Sequence, residues 1–262
     1  MWLPSELRSL PDFLKELIAS AISYSFKKAV QPIQNLTNLQ AMLGKPGGGS
    51  RTISKTPVLY RMSLRGRHEV ADWEEDYTGE FDTAGKGKSA LLAAAYRSIE
   101  AEVYNYTEEQ VIGVFHDMAK FFDTIDIPVL VSKAKELEFP VLDLMLTLHQ
   151  HLAPRIIQCE GFCSEPILIT RSILAGCKHS VALTRLLLLT DITGLVIDHP
   201  LAPPKVYVDD TAQLTSGSAT VATTSMYNSI YDFVHVTKSL KLTLSTKGVI
   251  VAKIQKHAYA LA

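Results

Sequence analysis

Val206-Tyr207-Val208-Asp209-Asp210 is an apolar run that stops at two adjacent carboxylates. Asp117 stands in a similar place upstream, where Val111-Ile112-Gly113-Val114-Phe115 runs into His116 and Asp117. Carboxylates at the ends of short buried strands suit hard cations, because Mg²⁺ takes oxygen ligands and is held by one or two carboxylates with phosphates completing the shell. That is the donor set of a two-metal phosphoryl or nucleotidyl transferase. Taken alone, Asp209-Asp210 is equally ordinary turn chemistry, since Asp favours tight turns through its own side-chain hydrogen bonds.

These carboxylates need elements to hold them, and the hydrophobic pattern supplies them. Leu14, Leu17, Ile18, Ala21 and Ile22 recur at helix spacing from Pro11-Asp12, and that helix ends by Pro32. Lys45-Pro46-Gly47-Gly48-Gly49-Ser50 reads as a hairpin or loop tip. A helix is predicted from Pro57 through Trp73 and another from Ser89 through Val103. Val111–Phe115 then reads as a strand. Asp126 before Pro128 reads as a helix N-cap with proline in the first turn. Phe139-Pro140 breaks that helix and starts another, which stops before Pro154.

Further strands are predicted at Ile167–Ile169, Lys205–Val208, Thr211–Leu214 and Val249–Ile254, with Asp209-Asp210 as a tight turn. Helices are predicted at Ser180–Thr190 and Ser225–Leu240. This order fits an α+β protein whose split βαβ sheet carries helices on one face. Asp117 and the hairpin tip would then project from adjacent central strands.

The gross features agree with a folded protein. The 262 residues are 47% hydrophobic and 20% charged, with a formal net charge of −1, so overall charge makes no case for nucleic acid. The average hides a basic stretch (Lys45, Arg51, Lys55, Arg61, Arg65, Arg67) followed by an acidic one from Glu69 to Asp82. These are either two solvated faces or a local phosphate-binding patch. Three cysteines point to a reducing compartment without a disulfide framework. No secretory signal is evident, and Leu186–Ile197, interrupted by Asp191, is read as too short to span a bilayer. The expectation is a soluble intracellular protein without a membrane partner, nuclear or cytoplasmic location being open.

Five blocks in order resemble the fingers and palm of reverse transcriptases, above all those of non-LTR (LINE-type) retrotransposons. Lys45-Pro46-Gly47-Gly48-Gly49-Ser50-Arg51-Thr52-Ile53 is similar to the family's first block, and Asp117-Met118-Ala119-Lys120-Phe121-Phe122-Asp123 to its first aspartate block. Ala175-Gly176-Cys177-Lys178-His179-Ser180 resembles its Gln-Gly-x-x-x-Ser block. Tyr207-Val208-Asp209-Asp210 resembles its Tyr-x-Asp-Asp hairpin, and Ser245-Thr246-Lys247 its lysine block.

The resemblance implies a right-hand polymerase of fingers and palm with the thumb missing. Residues 1–35 would be an N-terminal helical extension, 36–110 a fingers-like region and 111–262 the palm, with fingers elements interleaved around 128–165. It implies an RNA-directed DNA polymerase that adds dNTPs to the primer 3′-hydroxyl of an RNA or DNA template–primer, using two Mg²⁺ ions (Mn²⁺ as an alternative) and no obligatory protein partner.

By the same resemblance, Asp117 and Asp209 would be the metal ligands and Asp210 an outer ligand or acceptor for the turn. Phe122 would exclude a ribose 2′-hydroxyl, its bland alternative being a core aromatic as expected of Phe121. Lys45 and Arg51 would hold the triphosphate, unless they are plain loop charges. Gly176 and Ser180 would let backbone approach the nucleotide or template, and Tyr207 would line the nucleotide site. Lys247 would be a general acid or a solvated strand cap. The chain departs from the pattern at Ala175, in place of Gln, and at Thr52, in place of Pro.

Other motifs compete poorly. Ala84-Gly85-Lys86-Gly87-Lys88-Ser89 is Walker-like, but Asp82 occupies the position of the required glycine and has the wrong sign for phosphate. His149, His151, Cys159 and Cys163 lack common zinc spacings. The alternative from another class is a catalytically inactive retrotransposon remnant or RNA-binding module that keeps the palm fold.

Overall fold

The computed structural model describes residues 4–45, 48–259 and 261, so Pro46 and Gly47 of the glycine-rich tip, and Ala262, lie outside the described residues. In chain order the elements are α1 (Pro4–Arg8), α2 (Asp12–Lys28), β1 (Asn38–Gly44), β2 (Ser50–Lys55), α3 (Val58–Arg65), α4 (Glu69–Asp76), α5 (Ala90–Thr107) and β3 (Gln110–His116). Then come α6 (Phe121–Thr124), α7 (Ile127–Glu136), α8 (Val141–His151), β4 (Arg155–Cys159), β5 (Phe162–Cys163) and α9 (Ser180–Asp198). The chain closes with β6 (Pro204–Tyr207), β7 (Asp210–Gly217), α10 (Ala219–Ser239), β8 (Val249–Ala252) and α11 (Gln255–Tyr259). They form two compact units, one of Met1–Trp73 and Val131–Ala182, the other of Glu74–Leu130 and Leu183–Ala262.

Several expected boundaries move for local reasons. The helix predicted from Pro57 to Trp73 is two helices, because Gly66 closes α3 with its N–H on the Met62 carbonyl (3.2 Å). Ile167–Ile169 forms no strand: Ile167 makes an isolated bridge to Arg155, and the chain then turns through Ser172 at φ 122°. Helix α9 runs further than predicted and is long and apolar enough to cross a membrane by length and composition. Leu183, Leu186, Leu187, Leu188 and Ile192 are nonetheless all buried, which makes it a core helix. The N-cap predicted at Asp126 is present, its Oδ1 accepting from Val129 N–H (3.1 Å); Ser89 caps α5, and α10 starts earlier than the predicted Ser225, capped by Ser218.

The second unit carries an antiparallel sheet of order β6-β7-β3-β8. Side-chain alternation splits β3: Ile112 and Val114 pack on Ala222 and Met226 of α10, while Phe115 on the other face is exposed. Helix α10 buries Ala222, Met226, Ser229, Phe233 and Thr237, one per turn along a single stripe. Burying Met226 and Phe233 contributes roughly 1.5–3 kcal/mol each.

The first unit carries a second sheet of order β2-β1-β4-β5, with β1 and β2 joined as the hairpin predicted at the glycine-rich tip. Its interior is unusually polar. Asn38, Gln150, Thr147, His151 and His179 are all buried. Asn38 Nδ2 donates to the Gln150 carbonyl (2.7 Å), and Thr147 Oγ1 meets His179 Nδ1 (2.9 Å). His151 Nδ1 accepts the Leu174 N–H at 3.3 Å. Burial drives the His151 pKa down to about 3, with His179 and Arg155 acting in the same direction, and His179 down to about 4.

Both imidazoles are therefore neutral when folded and protonate more readily when unfolded, so stability is present above the unfolded value of 6.5 and is lost as pH falls toward 4. Denaturant titrations should show the first unit losing about 1.4 kcal/mol per pH unit per histidine in that window. His151→Gln should flatten the slope; an unchanged slope in that variant would contradict this account.

Candidate active site at the Tyr207–Asp210 hairpin

Strands β6 and β7 are joined by two residues, Val208 and Asp209, with Tyr207 and Asp210 as the last cross-strand pair. The tight turn predicted at Asp209-Asp210 is thus one residue earlier, and Asp210 opens β7. A two-residue hairpin that follows the strand twist needs a positive φ at its first central position. Val208 takes it, at φ 60°. A β-branched residue is strained there by about 1–3 kcal/mol. The strain leaves Asp209 half-buried at the tip and Asp210 exposed.

Register brings Asp117 to the same end of the sheet. His116 pairs with Thr211, so Asp117 follows β3 directly beside the start of β7. On its other side the segment Thr243–Ser245 is hydrogen-bonded back: Ser245 N–H donates to the Asp117 carbonyl (2.7 Å) and Ala119 N–H to the Thr243 carbonyl (2.8 Å). Lys247 lies exposed just beyond, in the loop before β8. Gly248 permits this return, since a Cβ there would sit 3.3 Å from the Phe115 carbonyl oxygen. Phe122 is half-buried in α6, edge-on to the buried Phe121 at 5.4 Å between ring centroids.

The second unit thus holds Asp117, Phe122, Tyr207, Asp209, Asp210 and Lys247, and the first holds Lys45, Arg51, Gly176 and Ser180. Lys45 flanks the hairpin tip and Arg51 is the second residue of β2, both exposed. Gly176 is exposed at φ 89°, a conformation that itself calls for glycine. Ser180 is buried, and its hydroxyl donates to the Leu174 carbonyl (2.5 Å).

Sequence reasoning missed the residues that hold the hairpin. The Phe81 carbonyl accepts from Val206 N–H (2.9 Å), and Thr83 N–H donates to the Val206 carbonyl (2.8 Å), so residues 81–83 form an edge beside β6. That edge is anchored by Asp82, paired with Arg185 of α9, which also pairs with Glu74. Both Asp82 and Arg185 are buried. Asp82, the residue that argued against a Walker motif, is thus a structural counter-ion. The available signal was one arginine in the run Thr184-Arg185-Leu186-Leu187-Leu188-Leu189, which cannot be buried without a carboxylate.

A second buttress links the two central strands to α10. His116 Nε2 meets Gln213 Oε1 (2.7 Å), Gln213 Nε2 donates to Ser229 Oγ (2.5 Å), and Ser229 Oγ donates to the Ala202 carbonyl (2.9 Å). The His116 ring packs on Phe233 at 4.4 Å, and burial holds its pKa down.

Electrostatics sets the tip apart from this anchored frame. Asp209 has a raised pKa, first from burial and then from the charges of Asp210 and Asp117. Among the described residues no three His, Cys, Asp or Glu side chains are grouped to hold a metal ion by themselves. Asp117 and Asp209 nonetheless fit a divalent cation in donor chemistry, being oxygen ligands with excess negative charge. A carboxylate with a raised folded pKa destabilises the fold once pH exceeds its unfolded value of 3.8. Asp209→Asn should therefore raise the thermal midpoint at pH 7 and leave it unchanged at pH 3. A lowered midpoint at pH 7 would show that Asp209 is a net structural stabiliser instead.

No family model matches the chain, and no curated protein sequence does. Solved structures do. Telomerase from Candida albicans in complex with the TWJ fragment of telomeric RNA superposes at a TM-score of 0.53, with 16% identity over 91% of this chain and 46% of its own. Apo telomerase from Candida tropicalis, truncated from its C-terminal domain, gives 0.58 and 12% over 89% and 54%. The chain spans about half the length of these proteins. At such identities the likeness is one of fold: this is a mixed α+β chain whose fold is similar to about half of each telomerase.

Proposed function

We propose that the chain is the fingers and palm of an RNA-directed DNA polymerase, the second unit being the palm and the first the fingers. The observation that carries this reading is the carboxylate cluster: Asp209 sits on a strained two-residue tip, and the Asp117 charge from the next strand acts on it. The telomerase-like fold and the five sequence blocks support the same assignment, and the blocks point to a non-LTR retrotransposon as its origin.

In this reading Asp117 and Asp209 hold Mg²⁺, which when bound would neutralise phosphate charge and lower the pKa of a coordinated hydroxyl. The other roles belong to the chain itself. Asp210 adds negative potential from the start of β7, and Tyr207 closes the hairpin beside the nucleotide. Phe122 excludes the 2′-hydroxyl that distinguishes ribonucleotides. Lys45 and Arg51 bind phosphate oxygens, arginine bidentately. Gly176, exposed at a positive φ, lets backbone approach nucleotide or template, while the buried Ser180 holds that turn from within through the Leu174 carbonyl. Lys247 holds a proton for the leaving pyrophosphate. The Candida albicans telomerase was solved with RNA, and an RNA or DNA template–primer is the partner proposed here.

A second reading is an inactive remnant or an RNA-binding module that keeps the palm fold. Primer extension on an RNA template with Mg²⁺ and dNTPs separates the two. The polymerase reading expects extension that falls at least ~10³-fold in Asp117→Ala and Asp209→Ala, with a gain in ribonucleotide use in Phe122→Ala. RNA binding without extension would establish the module, and equal extension by wild type and Asp117→Ala would dismiss the site.

A further inference from the structure

Strand β7 turns three polar side chains to the α10 side of its sheet. Thr211, Gln213 and Thr215 alternate along it, each no more than 2% exposed. Neither threonine hydroxyl has a hydrogen-bond partner among the described residues. A buried stripe of this kind adds little to stability, since each orphaned hydroxyl has lost water and gained nothing in return. Gln213 differs from its two neighbours, because both ends of its amide are bonded.

The direction of those bonds is fixed from one end. The Ala202 carbonyl can only accept, so Ser229 Oγ gives its proton there (2.9 Å). Ser229 Oγ must then accept, which turns the Gln213 amide nitrogen toward it (2.5 Å) and toward the same Ala202 carbonyl (3.4 Å). The amide oxygen is left facing His116, so His116 Nε2 carries the proton of their 2.7 Å contact. One arrangement of donors is allowed, and with it one orientation of the imidazole, which lies on Phe233.

The segments joined in this way are those that bring the carboxylates together. His116 immediately precedes Asp117. Ala202 stands in the turn that enters β6, the strand leading to Asp209, and Gln213 lies on β7, the strand that Asp210 opens. Gln213 is three residues past Asp210, about 10 Å along an extended strand, too far to touch a cation at the tip. We infer that Gln213 is a positioning residue: its amide sets the strand end that carries Asp117 in fixed relation to the hairpin that carries Asp209. The inference rests on the proposed cation-holding role of these two aspartates. Stability alone does not account for the amide, because leucine at both 116 and 213 would leave no donor or acceptor to satisfy. What leucine cannot supply is direction.

A Tb³⁺ luminescence titration of the intact chain tests this, since a hard cation that seeks oxygen ligands reads the aspartate pair without requiring turnover. Wild type should bind Tb³⁺, and Asp209→Asn should lose the signal. Gln213→Leu should weaken binding about tenfold, as loss of a group that orients a ligand does. It should also lower the thermal midpoint, because the His116 N–H is left buried without an acceptor. His116→Leu/Gln213→Leu removes both partners, so its midpoint should return toward wild type while its Tb³⁺ affinity stays about tenfold down. Ser229→Ala, which leaves the amide nitrogen only its longer bond to Ala202, should weaken binding in the same direction with the fold intact. Affinity that recovers together with the midpoint in the double variant would overturn the proposal and make Gln213 merely structural. So would wild-type affinity in Gln213→Leu or Ser229→Ala while Asp209→Asn binds nothing. A wild type that binds no Tb³⁺, or that binds it no better than Asp209→Asn, would overturn the cation site itself and the inference with it.

Discussion

A guanidinium buried in a leucine-rich helix must be neutralised where it stands, and the second unit is arranged around that requirement. Arg185 is neutralised by Asp82 and Glu74. Removing Asp82 would leave the buried Arg185 with only the partly exposed Glu74, a loss approaching about 3–5 kcal/mol. The consequence reaches the hairpin by a short route. Asp82 fixes residues 81–83, these complete the edge of β6, and β6 delivers Tyr207 and the tip. The His116–Gln213–Ser229 chain does the same for β3 and β7 from the other face, locking the two carboxylate-bearing strand ends to α10. The tip is therefore held on both sides by polar groups whose own demands are met.

The tip itself follows the opposite rule. Asp82 is buried with its counter-ion, whereas Asp209 is half-buried next to two further carboxylates. Within one unit the chain both satisfies a carboxylate fully and leaves another crowded. That contrast between a satisfied frame and a crowded tip is what the proposed metal-binding role of Asp117 and Asp209 rests on. Backbone strain at Val208 coincides with it, and strain persists only where the surroundings over-determine it. The rigid frame and the uncomfortable tip are complementary parts of one arrangement.

Much of this was legible in the sequence, and the failures have physical causes. Apolar runs ending in Asp117 and Asp209 marked both strand ends, because alternation and turn residues act locally. The hairpin at Lys45–Ser50 and the cap at Asp126 were readable for the same reason. The turn was misplaced by one residue because Val208 is the wrong residue for a positive φ, so local preference pointed away from the actual geometry. Arg185 and Asp82 stand 103 residues apart, and no periodic signal connects them. That α5 buries Ala93 and turns Tyr96, Ile99 and Tyr106 to solvent was hidden because alanines and large apolar residues count alike as hydrophobic.

Val208 also carries information of a different kind. Because its conformation suits glycine or asparagine better than valine, the fold alone gains nothing by keeping a β-branched side chain there. The valine thus holds the tip against the backbone's own preference, and a glycine or asparagine at 208 would relax the turn.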